Sequence, residues 1–330
     1  MQSLLEDEGP IRAAFRLTLA RIQGISSMGL LDEEALTACL LGGVSTVAPL
    51  VEELYSDDGM IEEARRSGQS EEVEEGEAEA HVEARRPDLP ILWGSYEKSG
   101  GGGNPRSETA TGGDFALVIW QTERSARLAV FQAKKGTVYK SGNRWSLNVR
   151  RGPSESSQGF TQFVMLFANA LRYKKEALRA YSSFEVATVL NSIGLEEQLK
   201  ALRQVTWVHY LAYMEGAFAC VPFSDCAAAL PEEFEKNQTS NTIEVSPESP
   251  SLYEVVLKGF SGDSDAWLTV EREGLKALLP SLLDLMPVHV VDEKGCEGLQ
   301  LGLVRGKPFV VPRVTDGGLR RNLKPGSPGM

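Results

Sequence analysis

The chain has 330 residues, of which 42% are hydrophobic and 24% are charged, so it is long enough and apolar enough to bury a full core. No stretch reaches the roughly 18 apolar residues of a membrane span. The acidic N-terminus, MQSLLEDEGPIRAAF, lacks the basic and apolar regions of a signal peptide. We therefore expect a cytoplasmic protein without membrane association; secretion as an effector without a signal peptide stays open.

The net charge of −12 is distributed unevenly. Residues 52–83 hold 13 acidic residues and two arginines, whereas residues 121–180 hold 12 lysines and arginines and three glutamates. A basic segment favours a phosphate backbone as partner, and a solvated face with scattered positive charge is the alternative. The acidic low-complexity stretch 56–90 is predicted to be an insertion, either a flexible loop or a fraying helix. It either solubilises the chain or shields the basic segment.

Two helices are predicted near the N-terminus. Residues 10–24 have helical periodicity, and a second helix follows Asp32, a suitable N-cap. Glu33 lies on the same face of that helix as a run of apolar residues, a face that is normally buried. Either Glu33 has a specific role there, or it only favours the helix N-terminus through the helix dipole. The apolar residues of this face are Leu36, Leu40, Val44 and Val47.

A β-hairpin is predicted next, with strands at 115–120 and 128–131 joined by a polar turn. Asp114 precedes the first strand, and Gln132 and Lys134 follow the second. Alternate residues of a strand project from one face, so Gln132 and Lys134 share a face. Antiparallel pairing returns them to Asp114, which brings an acid, an amide and an ammonium group to one edge of a sheet.

A basic and aromatic segment follows the hairpin and would track a phosphate backbone. A helix beginning at 154–157 and ending near 180 comes next, with Gln158 and Gln162 one turn apart at its start. These two glutamines either face a substrate or are plain solvated positions. The basic side chains that we predict as substrate contacts are Lys135, Lys140 and Arg144.

The remaining sequence predicts structure but no chemistry. Strands are expected at 205–213 and 218–221, and a linker at 231–251. Further strands are expected at 252–260, 266–270, 289–292, 299–304 and 309–311, with a helix at 274–285. The C-terminal strands either form a second small module or complete the first sheet. His209 is interpreted as a core histidine, and the four cysteines as reduced core thiols.

Asp114 and the Gln132-Ala133-Lys134 triplet resemble the motif of the PD-(D/E)xK nuclease superfamily. That family places an Asp at the start of one strand and (D/E)-x-K on the next; here Gln stands for the acidic residue, as in several Q-x-K branches. The lead-in at 107–114, SETATGGD, is similar to that of some restriction-type members. The EEALT segment beginning at Glu33 resembles the family's first core helix, whose Glu reaches the metal site.

The resemblance implies an α/β fold with a restriction-endonuclease-like core, a central mixed sheet flanked by helices, and a C-terminal α/β extension. The expected division is into N-terminal helices belonging to the core at 1–55, the acidic insertion at 56–90, the catalytic core at 91–228 and a C-terminal region of unknown role at 229–330.

It also implies a metal-dependent nuclease that hydrolyses phosphodiester bonds with Mg²⁺ or Mn²⁺, on DNA rather than RNA, in a bacterial defence, restriction or toxin setting. Asp114, the Gln132 amide and the Ala133 backbone carbonyl would bind the metal, with Glu33 or Glu108 supplying a second negative charge. Lys134 would hold the attacking water or stabilise the transition state. A homodimer stays open.

Two other classes of function stay open. One is a nuclease-like fold that has lost activity and only binds nucleic acid or protein. The other is an interaction protein in which the acidic segment is the functional part.

Overall fold

The computed structural model describes residues 9–27, 31–66, 112–122, 124–138, 145–149, 160–177, 194–229, 242–246, 248–261, 264–286 and 288–291. The helices are α1 (Pro10–Ser26), α2 (Glu33–Arg66), α3 (Gln162–Ala177), α4 (Leu195–Leu202), α5 (Leu252–Phe260) and α6 (Arg272–Leu285), with a 3-10 helix at Phe223–Ala229. The strands are β1 (Phe115–Thr122), β2 (Ser125–Val138), β3 (Trp145–Asn148), β4 (Val208–Met214), β5 (Ala217–Pro222), β6 (Thr242–Val245), β7 (Leu268–Glu271) and β8 (Val288–Val291).

The described strands form one mixed sheet with the order β5-β4-β2-β1-β8. The β1–β2 and β4–β5 pairs are antiparallel, whereas β2–β4 and β1–β8 are parallel. β7 pairs with the beginning of β2, and β3 with its end; β6 pairs with β3. The C-terminal strands β7 and β8 therefore complete the first sheet, which is one of the two arrangements that the sequence left open.

Helices cover both faces of the sheet, and β1 shows why. Its residues from Phe115 to Trp120 are all buried, because successive side chains point to opposite faces of the sheet and helices cover both faces. Burial on both faces requires an uninterrupted run of apolar residues in the sequence. Phe115, Leu117 and Ile119 pack with α1, α2 and α5, whereas the alternate residues of β1 pack with α3 and α6. The predicted class, an α/β fold with a mixed sheet flanked by helices, is confirmed.

Helix α2 begins where the sequence predicts. The Asp32 Oδ1 atom accepts a hydrogen bond from the Ala35 N–H at 2.8 Å, which is the N-cap contact. The predicted apolar face is buried at Leu36, Leu40 and Val44. The helix continues to Arg66, so it passes through the predicted boundary at residues 55 and 56 and takes in the beginning of the acidic stretch. The rest of that stretch lies outside the described residues.

The prediction of a strand at 252–260 is wrong, because this segment is helix α5. Its first turn is held by a capping box, in which the Ser251 Oγ accepts from the Glu254 N–H while the Glu254 carboxylate accepts from the Ser251 N–H. The apolar residues also fit a helical period. Those buried are Leu252, Val255, Val256 and Gly259.

Smaller differences concern the ends of elements. Strand β6 lies within the predicted linker at 231–251. The hairpin turn is shorter than predicted, since Thr122 Oγ1 accepts from the N–H groups of Arg124 and Ser125 directly after β1. Helix α3 begins at Gln162, later than predicted, with Thr161 Oγ1 accepting from the Val164 N–H.

Within the described residues, every helix is too short or too polar to cross a lipid bilayer.

Cys220 and Cys226 are buried free thiols as predicted, and burial raises both pKa values, that of Cys226 to about 12. The prediction of a core position is wrong for Cys39, which is exposed on α2. Cys296 lies outside the described residues.

Candidate functional site

The candidate site lies where β1 and β2 separate. Their pairing ends at Phe115 and Phe131, and the Asp114 N–H donates to the Phe131 carbonyl at 2.8 Å. Two residues further along β2, the Ala133 N–H donates to Asp114 Oδ2 at 2.7 Å. The Asp114 carboxylate therefore takes the place of the next backbone acceptor, which fixes it against β2.

Two glycines place Asp114 at this point. Gly112 has a φ of 72°, a conformation that residues with a Cβ rarely adopt. A Cβ on Gly112 would lie 2.6 Å from the backbone nitrogen of Leu166 in α3. The GGD sequence thus lets the chain pass against α3 and enter β1 with Asp114 directed towards β2.

Gln132 links Asp114 to α3. Its Nε2 atom donates to Asp114 Oδ2 at 2.7 Å and to the Ala133 carbonyl at 3.2 Å. Its Oε1 atom accepts from Gln162 Nε2 at 3.4 Å. Gln132 and Gln162 are both buried. In this arrangement the amide nitrogen, rather than the oxygen, faces the carboxylate.

Lys134 and Glu33 form an ion pair, with 3.5 Å between Lys134 Nζ and Glu33 Oε1. The two side chains are 11% and 24% exposed, so the pair lies at the rim of the protein interior. The other Glu33 oxygen accepts from the Lys135 N–H at 3.1 Å. The fold therefore places Glu33 of α2 against Lys134 and Lys135 of β2.

The hydroxyl groups of Thr37 and Tyr213 lie beside Glu33 and complete the cluster that Asp114, Gln132, Lys134 and Glu33 begin. The sequence analysis assigns neither of them a role. Thr37 Oγ1 and the Tyr213 hydroxyl lie 2.9 Å apart, and Thr37 also donates to the Glu33 carbonyl. Burial raises the pKa of Tyr213; the Thr37 hydrogen bond lowers it, and the negative charges of Asp114 and Glu33 raise it further. Tyr213 therefore stays a neutral hydroxyl beside both carboxylates. No local pattern in the sequence marks Tyr213; its position follows from the parallel pairing of β4 with β2, in which it lies opposite Lys135.

The other predicted residues divide into two groups. Lys135 is exposed beside the cluster, with its Nζ 3.4 Å from the Leu31 carbonyl. The remaining predictions lie outside the described residues; they concern Glu108, Lys140, Arg144 and Gln158.

The histidines of the sheet are core residues. Burial lowers the pKa of His209 to about 4, although the hydrogen bond between its Nε2 and the Ala266 carbonyl acts in the opposite direction and raises it. Burial also lowers the pKa of His289 to about 4. Both rings are therefore neutral at physiological pH, and the interpretation of His209 as a core residue is confirmed.

The donor set fits a hard divalent cation in its chemistry, since it offers carboxylate, amide and carbonyl oxygens. In the described residues no three Asp, Glu, His or Cys side chains converge as a metal group. The position of Gln132 Nε2 is informative, because this NH₂ group bridges Asp114 Oδ2 and the Ala133 carbonyl. A group with partial positive charge already lies between two of the predicted ligand oxygens.

The chain matches no known family model, no curated protein and no solved structure. Functional inference therefore depends on the geometry of this cluster and on the resemblance of its sequence motif.

Proposed function

We propose that this protein is a metal-dependent nuclease of the PD-(D/E)xK type, acting on DNA in preference to RNA. The observation that carries the proposal is the presence of two hydrogen-bonded pairs, Gln132 with Asp114 and Lys134 with Glu33, two positions apart on β2. Asp114 and Gln132 belong to one hairpin, whereas Glu33 lies on α2, 101 positions before Lys134. The mixed sheet with helices on both faces supports the restriction-endonuclease-like core that the sequence motif implies.

Asp114, the Ala133 carbonyl and Gln132 would hold Mg²⁺ or Mn²⁺. When bound, such a cation neutralises phosphate charge and lowers the pKa of a water molecule. For Gln132 to offer its oxygen, the amide must rotate so that Oε1 replaces Nε2 opposite Asp114. Because a neutral amide adds no charge attraction, Asp114 supplies most of the electrostatic attraction for the cation.

Lys134 and Glu33 serve the reacting groups in this proposal. The Lys134 ammonium, two positions along β2 from Gln132, would donate to the attacking water or to the phosphate oxygen that gains charge. Glu33 holds the ammonium in place and ties α2 to β2 through the Lys135 N–H. In the hydrolysis, the water oxygen attacks phosphorus and gives up a proton to solvent, the bond to the leaving oxygen breaks, and the leaving oxygen takes up a proton from solvent.

The test is cleavage of supercoiled plasmid, linear duplex DNA and RNA with 10 mM MgCl₂ or MnCl₂, and with EDTA. We expect metal-dependent cleavage that Asp114→Ala and Lys134→Ala each reduce by about 10³-fold, the scale for removing a group that acts in the transition state. Lys276→Ala is the matched control, because Lys276 is exposed on α6 and pairs only locally with Glu273. Cleavage by both site variants at the wild-type rate would refute the assignment.

One observation favours a binding module as the second candidate. Gln132 donates its NH₂ group to Asp114, so the carboxylate already has a partner without any cation. A nuclease-like fold that has lost activity would keep this arrangement and bind nucleic acid in EDTA as well as in Mg²⁺. Binding that is independent of metal, together with no cleavage of any of the three substrates, would favour this candidate.

A further inference from the structure

A cavity of about 310 Å³ opens at the other end of β2, away from the candidate site. Two strands share one edge of β2 there, since β7 pairs with residues 125–128 and β4 with residues 130–135. The cavity lies where these strands meet. Arg127, which lines it, precedes Lys134 by seven positions, which corresponds to roughly 23 Å along an extended strand.

The charges around the cavity favour an anion. Among the described residues that line it, Arg127 on β2 and Lys174 on α3 supply two cationic groups, and Asp265 supplies the one carboxylate. Arg127 is only 6% exposed, and its Nη1 donates to the Lys258 carbonyl at 2.9 Å, so its position is fixed. Fixed cationic donors bind an anion with little loss of conformational entropy.

Trp207 adds a donor that the described residues do not satisfy. Its side chain lines the cavity and is 2% exposed, and its indole Nε1 has no hydrogen-bond partner in the described part of the chain. Trp267 lines the same cavity, but its Nε1 donates to the Val255 carbonyl at 2.8 Å. A buried N–H without an acceptor is destabilising, so an acceptor supplied by a ligand would relieve it.

We propose that this cavity binds a phosphomonoester group, with Arg127, Lys174 and the Trp207 N–H as donors. The volume is at the lower end of the range for small-molecule sites, and a phosphate offers several strong acceptors to donors from β2, α3 and the residue before β4. The proposal does not depend on the proposed nuclease function, because no residue is shared with that site.

A phosphomonoester occurs both in free compounds and at the ends of nucleic acid strands, so the experiment separates the two sources. Calorimetric titrations at constant ionic strength use inorganic phosphate, adenosine 5′-monophosphate and adenosine for the first source. A 5′-phosphorylated oligonucleotide and its 5′-hydroxyl form serve for the second. We expect saturable binding that requires the phosphate. Adenosine and the 5′-hydroxyl strand should bind at least about tenfold more weakly, because they lack the phosphate oxygens that accept hydrogen bonds from the charged donors.

Two variants locate the binding. Lys174→Glu should weaken it by about tenfold or more, and Trp207→Phe, which keeps a ring but removes the N–H, by roughly three- to tenfold. Lys276→Glu makes the same change of charge outside the cavity and should bind as the wild type does. The proposal is overturned if no probe binds in a phosphate-dependent way, or if Lys174→Glu and Trp207→Phe bind normally.

Discussion

The two ends of β2 satisfy their backbone groups in different ways. At its beginning, β2 lies between β1 and β7, and strands cover both edges. Near its other end, β4 covers one edge, while on the opposite edge the N–H groups of Ala133 and Lys135 donate to the carboxylates of Asp114 and Glu33. Buried backbone donors need acceptors in both places. Only at the end near Ala133 and Lys135 are the acceptors charged side chains rather than backbone carbonyls of a neighbouring strand.

This difference has a functional meaning. A neighbouring strand cannot leave β2 without breaking the sheet, whereas a side-chain acceptor can change partners while the strand stays in place. The end of β2 that uses carboxylates can therefore exchange contacts with a ligand. The following substitutions test this contrast, and they run from the largest expected effect to the smallest.

Gly112→Ala should destabilise the protein most, by about 3 kcal/mol, because it adds both a strained φ and a contact with the α3 backbone. The matched control is Gly216→Ala in the β4–β5 turn, where φ is 73° but a Cβ has nothing within 4 Å. That control should lose only about 1–2 kcal/mol from the backbone strain. Urea unfolding measures both, and equal losses would show that the approach of Gly112 to α3 is not tight.

Gln132→Glu should lower the stability of the metal-free protein by roughly 2–3 kcal/mol, because it places a second buried carboxylate against Asp114 and removes the NH₂ donor. Added Mg²⁺ should recover most of that loss and raise the melting temperature more than in the wild type.

Gln121→Glu is the control for this substitution at the opposite end of β1. It also removes an amide donor, from the Gly259 carbonyl, but at a position away from the candidate site. Its melting temperature should not respond to Mg²⁺. If Gln132→Glu is equally insensitive to Mg²⁺ and Mn²⁺, the cluster is not a cation site.

Tyr213→Phe should have the smallest effect, a loss of about 1 kcal/mol from the hydrogen bond to Thr37. Thr37→Val and the double variant complete a thermodynamic cycle, in which we expect a coupling energy of about 0.5–1 kcal/mol. Purely additive losses would mean that the two hydroxyl groups do not hold α2 against β4.

Much of the site was predictable from local sequence. The apolar run at 115–120 specifies a buried strand, and Asp32 specifies the start of α2, which sets Glu33 on the inner face. The antiparallel hairpin then brings Asp114 to Gln132, because pairing in a hairpin is fixed by residues close in the chain.

The contacts that were missed depend on distant pairings. The hydrogen bond between Thr37 and Tyr213 follows from the parallel register of β2 and β4 and from how α2 packs on them. No local pattern contains that information. Helix α5 was mistaken for a strand because a short apolar run fits both periods, and only the capping box at Ser251 and Glu254 decides between them.

The parallel pairing of β1 with β8 has a consequence for synthesis of the chain. β1 leaves the ribosome long before residues 288–291, which cover one of its edges in the finished sheet. During that interval the edge of an apolar strand is open to pairing with other nascent chains. The β1–β2 hairpin, which carries Asp114 and Lys134, is thus synthesised early, but β8 covers the edge of β1 only late. Translation speed and chaperone binding during that interval therefore influence how much of the protein aggregates.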